Sequence, residues 1–90
     1  MPDPAIRLDK FLWYSRIVKT RDLARRMVEE GTVRLNNARV LKPGHDLKPG
    51  DVLTFVWSGR VHVWRVNLIP RRRGPPAEAR RIYEELAPGN

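Results

Sequence analysis

The stretch "KTRDLARRMVEEGTVRLNN", Lys19 to Asn37, decides the fold. Thr20 is a good N-cap, because its hydroxyl can accept one of the unpaired backbone N–H groups at a helix start. Asp22 in the first turn suits the positive helix end. Leu23, Ala24, Met27 and Val28 then recur at helical spacing and form one apolar stripe. Gly31 tolerates the left-handed conformation that closes a helix. Immediately afterwards the period changes. Val33 and Leu35 alternate with Arg34 and Asn36, the pattern of a half-buried strand. Asn36-Asn37 supplies a tight turn, since Asn also tolerates positive φ.

Outward from this unit, "RLDKFLWYSR" places Leu8, Phe11, Leu12 and Ser15 at i, i+3, i+4, i+7, which predicts a first helix over about residues 8–17. "ARVL" reads as the strand returning from the Asn-Asn turn. "KPGHDLKPGD" reads as a double-turned loop, because Pro-Gly favours type II turns. "VLTFVW" and "VHVWRVNLI" are rich in β-branched and aromatic residues and flank a Ser58-Gly59 hairpin signal. Trp57 and Trp64 are expected to form a cross-strand packing pair. After Pro70, "RRRGPP" reads as a linker. "AEARRIYEELA" reads as a short helix with Ile82, Tyr83 and Leu86 as its stripe, marginal on its own. The expectation is an α+β domain: two N-terminal helices packed on a small, mostly antiparallel sheet, plus a short C-terminal helix. Residues 5–70 would form the domain and 71–90 a basic linker and helix.

The chain has 90 residues, a formal net charge of +8 and no cysteine. There is therefore no disulfide framework and no Cys-based metal site. No apolar run approaches the roughly 18 residues of a membrane span, and "MPDPAIR" lacks the features of a secretory signal. A soluble cytoplasmic protein without a membrane partner is expected. Residues 1–42 carry ten Lys/Arg against five Asp/Glu, residues 43–70 three against two, and residues 71–90 five against three. The excess sits on the first segment, which points to a polyanion, nucleic acid before anionic membrane.

The cations of the second helix are not equivalent. Arg26 has Asp22 four residues before it and Glu30 four after it, so intrahelical pairing accounts for it. Arg25 has Glu29. Arg21 has no acid at that spacing on its C-terminal side. Lys19, Thr20 and Arg21 gather at the helix N-terminus, where free N–H groups favour phosphate. Arg34 and Arg39 join them if the hairpin packs beside the helix, and Asn36 offers a donor and an acceptor at the turn. Arginine grips phosphate bidentately, so this pattern suits a nucleic-acid backbone. Trp13 and Tyr14 could stack on a base, but aromatics at helical spacing more often seal a core. His45 and His62 are too isolated for a zinc site, and no carboxylate pair or nucleophile triad is present.

These residues resemble a known family. Arg-Leu-Asp-Lys opening helix one, Lys-Thr-Arg opening helix two, Gly-x-Val-x-Leu-Asn, Lys-Pro and a closing Pro-Gly-Asp are similar to the S-four RNA-binding domain, over about residues 7–55. The Leu-Trp-Tyr-Ser-Arg continuation and the basic tail are similar to the ribosome-associated heat-shock protein 15 family. The resemblance implies an αL-type RNA-binding fold and contacts to structured RNA from Arg7, Lys10, Arg16, Lys19, Thr20, Arg21, Arg25, Arg34, Asn36, Arg39 and Lys42. For the heat-shock members it implies binding to ribosomal RNA of the free large ribosomal subunit carrying peptidyl-tRNA, in rescue of stalled translation. One departure is visible: the family's usual Asn-Gly turn is Asn36-Asn37 here.

Two other functions compete. S-four domains also precede RNA-modifying enzymes, but the roughly 20 residues of the basic tail expected after the sheet are too few for a catalytic fold. A DNA-binding helix-turn-helix is kept open by the short Ile17–Lys19 connection, and opposed by the strand after helix two. The expectation is a monomeric, non-catalytic RNA binder with no cofactor.

Overall fold

A computed structural model describes residues 4–87. The element order is β1 (Ile6–Arg7), α1 (Leu8–Tyr14), α2 (Arg21–Glu29), β2 (Val33–Leu35), β3 (Ala38–Arg39), β4 (Asp46–Leu47), β5 (Val52–Trp57), β6 (Arg60–Val66), α3 (Pro76–Ala79) and β7 (Tyr83–Ala87). Five strands form an antiparallel sheet in the order β3-β2-β5-β6-β7, and β1 pairs separately with β4. This is the α+β architecture the sequence implies. No helix among the described residues is long and apolar enough to cross a membrane.

The core lies between the two helices and one face of the sheet. Leu8, Phe11 and Leu12 from α1 and Ala24, Met27 and Val28 from α2 are buried with Val33, Leu35, Leu53, Phe55, Trp64 and Val66. Both tight turns have two successive residues at positive φ: Asn36 (50°) with Asn37 (72°), and Ser58 (53°) with Gly59 (74°). Turns of this hand match the right-handed twist of the strands they join.

Several expectations change. α1 stops at Tyr14 rather than near residue 17, because Ser15 Oγ donates to the Leu12 carbonyl and Arg16 turns into the left-handed region at φ 67°. The double-turned loop contains a short strand, β4, anchored by the fully buried Leu47 opposite Ile6. Trp57 and Trp64 are not partners: Trp57 faces Arg60, and Trp64 faces Leu53. The indole of Trp64 instead lies edge-on to Phe55 and stacks on Tyr83 at 3.6 Å between centroids.

The largest change concerns the C-terminal segment. Only Pro76–Ala79 is helical, and Tyr83–Ala87 is a strand that extends the sheet at β6. A single helical turn cannot sustain itself. The edge of β6 offers a row of unpaired backbone groups, and pairing satisfies them. Glu85 reinforces the join, accepting from Trp64 Nε1 at 3.2 Å and lying 2.7 Å from His62 Nδ1. Ala79 and Ile82 are both buried, so this segment contributes to the interior.

Candidate nucleic-acid interface

The interface is organised by an acid. Asp9 sits in the first turn of α1 and is 2% exposed. Its Oδ1 accepts from Arg7 Nε at 3.1 Å and from the Lys10 backbone N–H at 2.8 Å. Its Oδ2 accepts from Arg7 Nη2 at 3.2 Å and lies 3.5 Å from Arg21 Nε. A buried carboxylate is costly unless paired and hydrogen-bonded, and Asp9 is both. The cations outnumber the anion, so the cluster stays positive. About half of each guanidinium-bearing side chain faces solvent, 52% for Arg7 and 43% for Arg21. Asp9 therefore holds two arginines side by side that would otherwise repel, with their outer edges free.

Spacing along α2 gives Arg21 no acid on its C-terminal side. The partner comes from α1, across the helix pair. Residue spacing carries no signal for that contact. The only hint is an aspartate between apolar residues in a stripe bound for the core.

At the start of α2, Thr20 Oγ1 accepts from the Leu23 backbone N–H at 3.1 Å, so the hydroxyl is engaged in capping. Asp22 binds both Arg25, at 2.5 Å, and Arg26, at 3.2 Å. Arg26 thus pairs with Asp22 as its spacing implies, whereas Arg25–Glu29 and Arg26–Glu30 do not form among the described residues; Asp22 serves both arginines. Exposed pairs of this kind contribute at most about 1 kcal/mol, so both side chains are available to a stronger anion.

Arg7, Lys10 and Arg21 line a groove of about 540 Å³ together with Arg71, Ile69 and Asp46. Arg7, Arg21 and Arg25 line a contiguous hollow of about 340 Å³ over Asp9 and Asp22. Arg71, assigned by sequence to the tail, thus belongs beside α1 and α2. Lys10 Nζ lies 5.5 Å from the Tyr14 ring centre.

The remaining expected contacts lie elsewhere. Arg34 and Arg39 are cross-strand neighbours on β2 and β3, both exposed. Arg39 and Lys42 line a separate hollow with Leu41 and His45. The Asn36 side chain seals its own turn: its Oδ1 accepts from the Val52 backbone N–H at 3.0 Å and its Nδ2 donates to Asp51 at 3.2 Å. Arg16 and Lys19 lie at the far end of α1, against the C-terminal segment. The cations therefore divide into a central group, Arg7, Lys10, Arg21 and Arg25, which share two contiguous hollows, and outlying ones on either side of it.

Residues 6–53 match the S4 domain family. The chain is similar to heat shock protein 15 of Escherichia coli, at 40% identity over 96% of this chain and 64% of that protein. It is also similar to the RQC P-site tRNA stabilizing factor of Bacillus subtilis, at 39% identity over 69% of this chain and 71% of that protein. Among solved structures, the trimeric structure of Vibrio cholerae heat shock protein 15 superposes with a TM-score of 0.87 at 37% identity, covering 93% of this chain and 84% of that one. The chain spans slightly under two thirds of the length of the E. coli relative.

Proposed function

The chain belongs to the S4 domain family, and on that premise we propose that it is a non-catalytic binder of ribosomal RNA, acting on large ribosomal subunits that carry peptidyl-tRNA. The observation that carries this reading is the Asp9-centred cluster, in which Arg7 and Arg21 are held together with their outer edges open. Two forks tied to one carboxylate suit the phosphates of a folded strand, because part of their ordering is already in place before binding. Structured RNA is recognised largely through the shape of its backbone, which such a cluster reads. The names of the E. coli and B. subtilis relatives, one a heat shock protein and one a stabilizer of P-site tRNA, fit the same role in ribosome quality control. The role places the protein in the cytoplasm.

Co-sedimentation with purified ribosomal particles tests this reading. Retention should be highest on free large subunits bearing peptidyl-tRNA, lower on empty large subunits and lowest on intact ribosomes. Equal retention on all three would reduce the protein to a general RNA binder. Duplex DNA bound as tightly as structured RNA would favour the helix-turn-helix alternative. Because the V. cholerae structure is trimeric, light scattering with and without RNA should accompany the assay; a monomer is expected in both states.

A further inference from the structure

A second basic pocket lies where the end of α1 meets the C-terminal segment; it joins the outlying Arg16 and Lys19 to two cations, Arg73 and Arg80, that the candidate interface leaves out. Its volume is about 430 Å³, and Arg16, Lys19, Arg73 and Arg80 line it with Ile17 and Tyr83. Two of the four cations are fixed by reciprocal bonds between distant parts of the chain. Arg16 Nε donates to the Gly74 carbonyl at 2.7 Å. Arg73 Nε donates to the Trp13 carbonyl at 2.9 Å, and its guanidinium lies 5.2 Å from the Trp13 ring centre. These partners are neutral, so both charges remain uncompensated. Among the described residues, none of the four cations is in an ion pair, whereas Arg72 nearby is matched by Glu78.

We propose that this pocket holds one nucleotide of the bound RNA strand, with its phosphate on Arg16, Lys19, Arg73 and Arg80 and its base or ribose against Ile17 and Tyr83. The inference rests on the RNA-binding reading and extends it. Uncompensated cations converging on one cavity call for an anion. The volume falls in the range of small-molecule sites, about 300–1,000 Å³, which is too large for phosphate alone. The lining supplies apolar and aromatic surface beside the charge, as a nucleotide requires. The pocket is also continuous with the main interface through the chain itself: Lys19 lines the pocket, Arg21 lines the Asp9 cluster, and only Thr20 separates them. A strand lying on the cluster thus runs on into the pocket, and two sites engaged by one strand reinforce each other.

The test uses the full chain and a fluorescent RNA hairpin, titrated at several salt concentrations. Arg80 is exposed and makes no side-chain hydrogen bond among the described residues, so Arg80→Ala should fold normally, as circular dichroism will verify. It should lower affinity about three- to tenfold and flatten the salt dependence by about one phosphate contact. Arg81→Ala is the control. It removes the same charge one residue away, but Arg81 lines a different hollow, and the salt slope should not change. A second readout is uridine monophosphate against inorganic phosphate: the nucleotide should shift the Ile17 methyl signals in the wild-type chain and not in Arg80→Ala. Equal effects of Arg80→Ala and Arg81→Ala would mean that only net charge matters and would overturn the pocket. If Arg21→Ala weakens binding while Arg80→Ala does not, the pocket falls and the RNA-binding reading stands. If the wild-type chain binds no RNA, both fall.

Discussion

Asp9 and Arg21 belong to different helices, yet the carboxylate of one lies 3.5 Å from the guanidinium of the other. The contact crosses the seam where Leu8, Phe11 and Leu12 pack against Ala24 and Val28. It does two things at once. It neutralises an acid that the packing of α1 has buried, and it fixes the first residue of α2 beside Arg7. Packing and charge placement therefore depend on the same side chain.

Replacing Asp9 with Asn separates these effects. The amide keeps the shape but not the charge, and the two arginines are released. A loss of about 1–3 kcal/mol is expected, from hydrogen bonds to charged groups that are part-exposed on one side. RNA affinity should fall even though the net charge rises by one. Denaturant unfolding and RNA titration measure both. An affinity that rises with the added charge would show that Asp9 does not position the arginines.

Arg21→Ala should weaken RNA binding more than Arg25→Ala. Arg21 is held beside Arg7, whereas Arg25 shares Asp22 with Arg26. Each lost phosphate contact should reduce the slope of log affinity against log salt by about 0.7–0.9. Arg26→Ala should do least, since Arg26 shares Asp22 with Arg25 but lines neither hollow of the central cluster. Titrations of the three variants at four salt concentrations are sufficient.

Tyr83 tests whether the C-terminal strand contributes to the fold. Tyr83→Ala removes the ring stacked on Trp64 and should cost about 2–4 kcal/mol, in the range for losing a large aromatic. Tyr83→Phe keeps the ring and should change stability by less than about 1 kcal/mol. Urea midpoints for the two variants distinguish stacking from any role of the hydroxyl.

The same residue predicts an alkaline limit. Burial, then the nearby Glu85 carboxylate, pushes the Tyr83 phenol above its ordinary value of 10.0, with Arg80 opposing. The folded state thus holds its proton more tightly than the unfolded chain does. The resulting stability is complete below the unfolded value and is lost as pH rises through the folded one. Phenolate absorbance should show one tyrosine titrating late, and Tyr83→Phe should remove that component of the alkaline loss.

Asn37→Gly should stabilise the chain by about 0.4–1 kcal/mol. Asn37 sits at φ 72°, where glycine has no Cβ penalty. RNA affinity should not change, because the Asn36 side chain that seals the turn is kept. Thermal melting is the measurement; a lowered melting temperature would show that the Asn37 side chain contributes more than its backbone costs.

Local signals in the sequence were reliable guides to local structure. Thr20 caps α2, Gly31 follows it at φ 80°, and Asn36-Asn37 turns the chain, because each depends on one residue's own chemistry. The period-2 pattern from Val33 to Leu35 identified a strand for the same reason. What the sequence concealed was set by distant partners. Tyr83 and Leu86 suit a helical stripe as well as a strand, and the open edge of β6 decides between them. The pairing of Asp9 with Arg21, the bond from Arg16 to Gly74 and the place of Arg71 beside α1 join segments whose separation carries no periodic signal. The candidate interface was thus legible as a set of cations, and its division into a central cluster and a separate pocket was not.

Arg16 has a further consequence, in what selection can see. Its backbone lies in the left-handed region, which costs a residue with a side chain about 1–2 kcal/mol. Its guanidinium recovers a similar amount through the bond to Gly74, since a charged donor contributes about 1.5–3 kcal/mol before solvent exposure reduces it. Glycine at this position would lose the bond and relieve the backbone. The two changes nearly cancel, so a screen for thermal survival would pass arginine and glycine alike. If Arg16 holds phosphate as proposed, only a screen that reads binding would tell them apart, and position 16 is then a place where drift in stability is silent and drift in function is not.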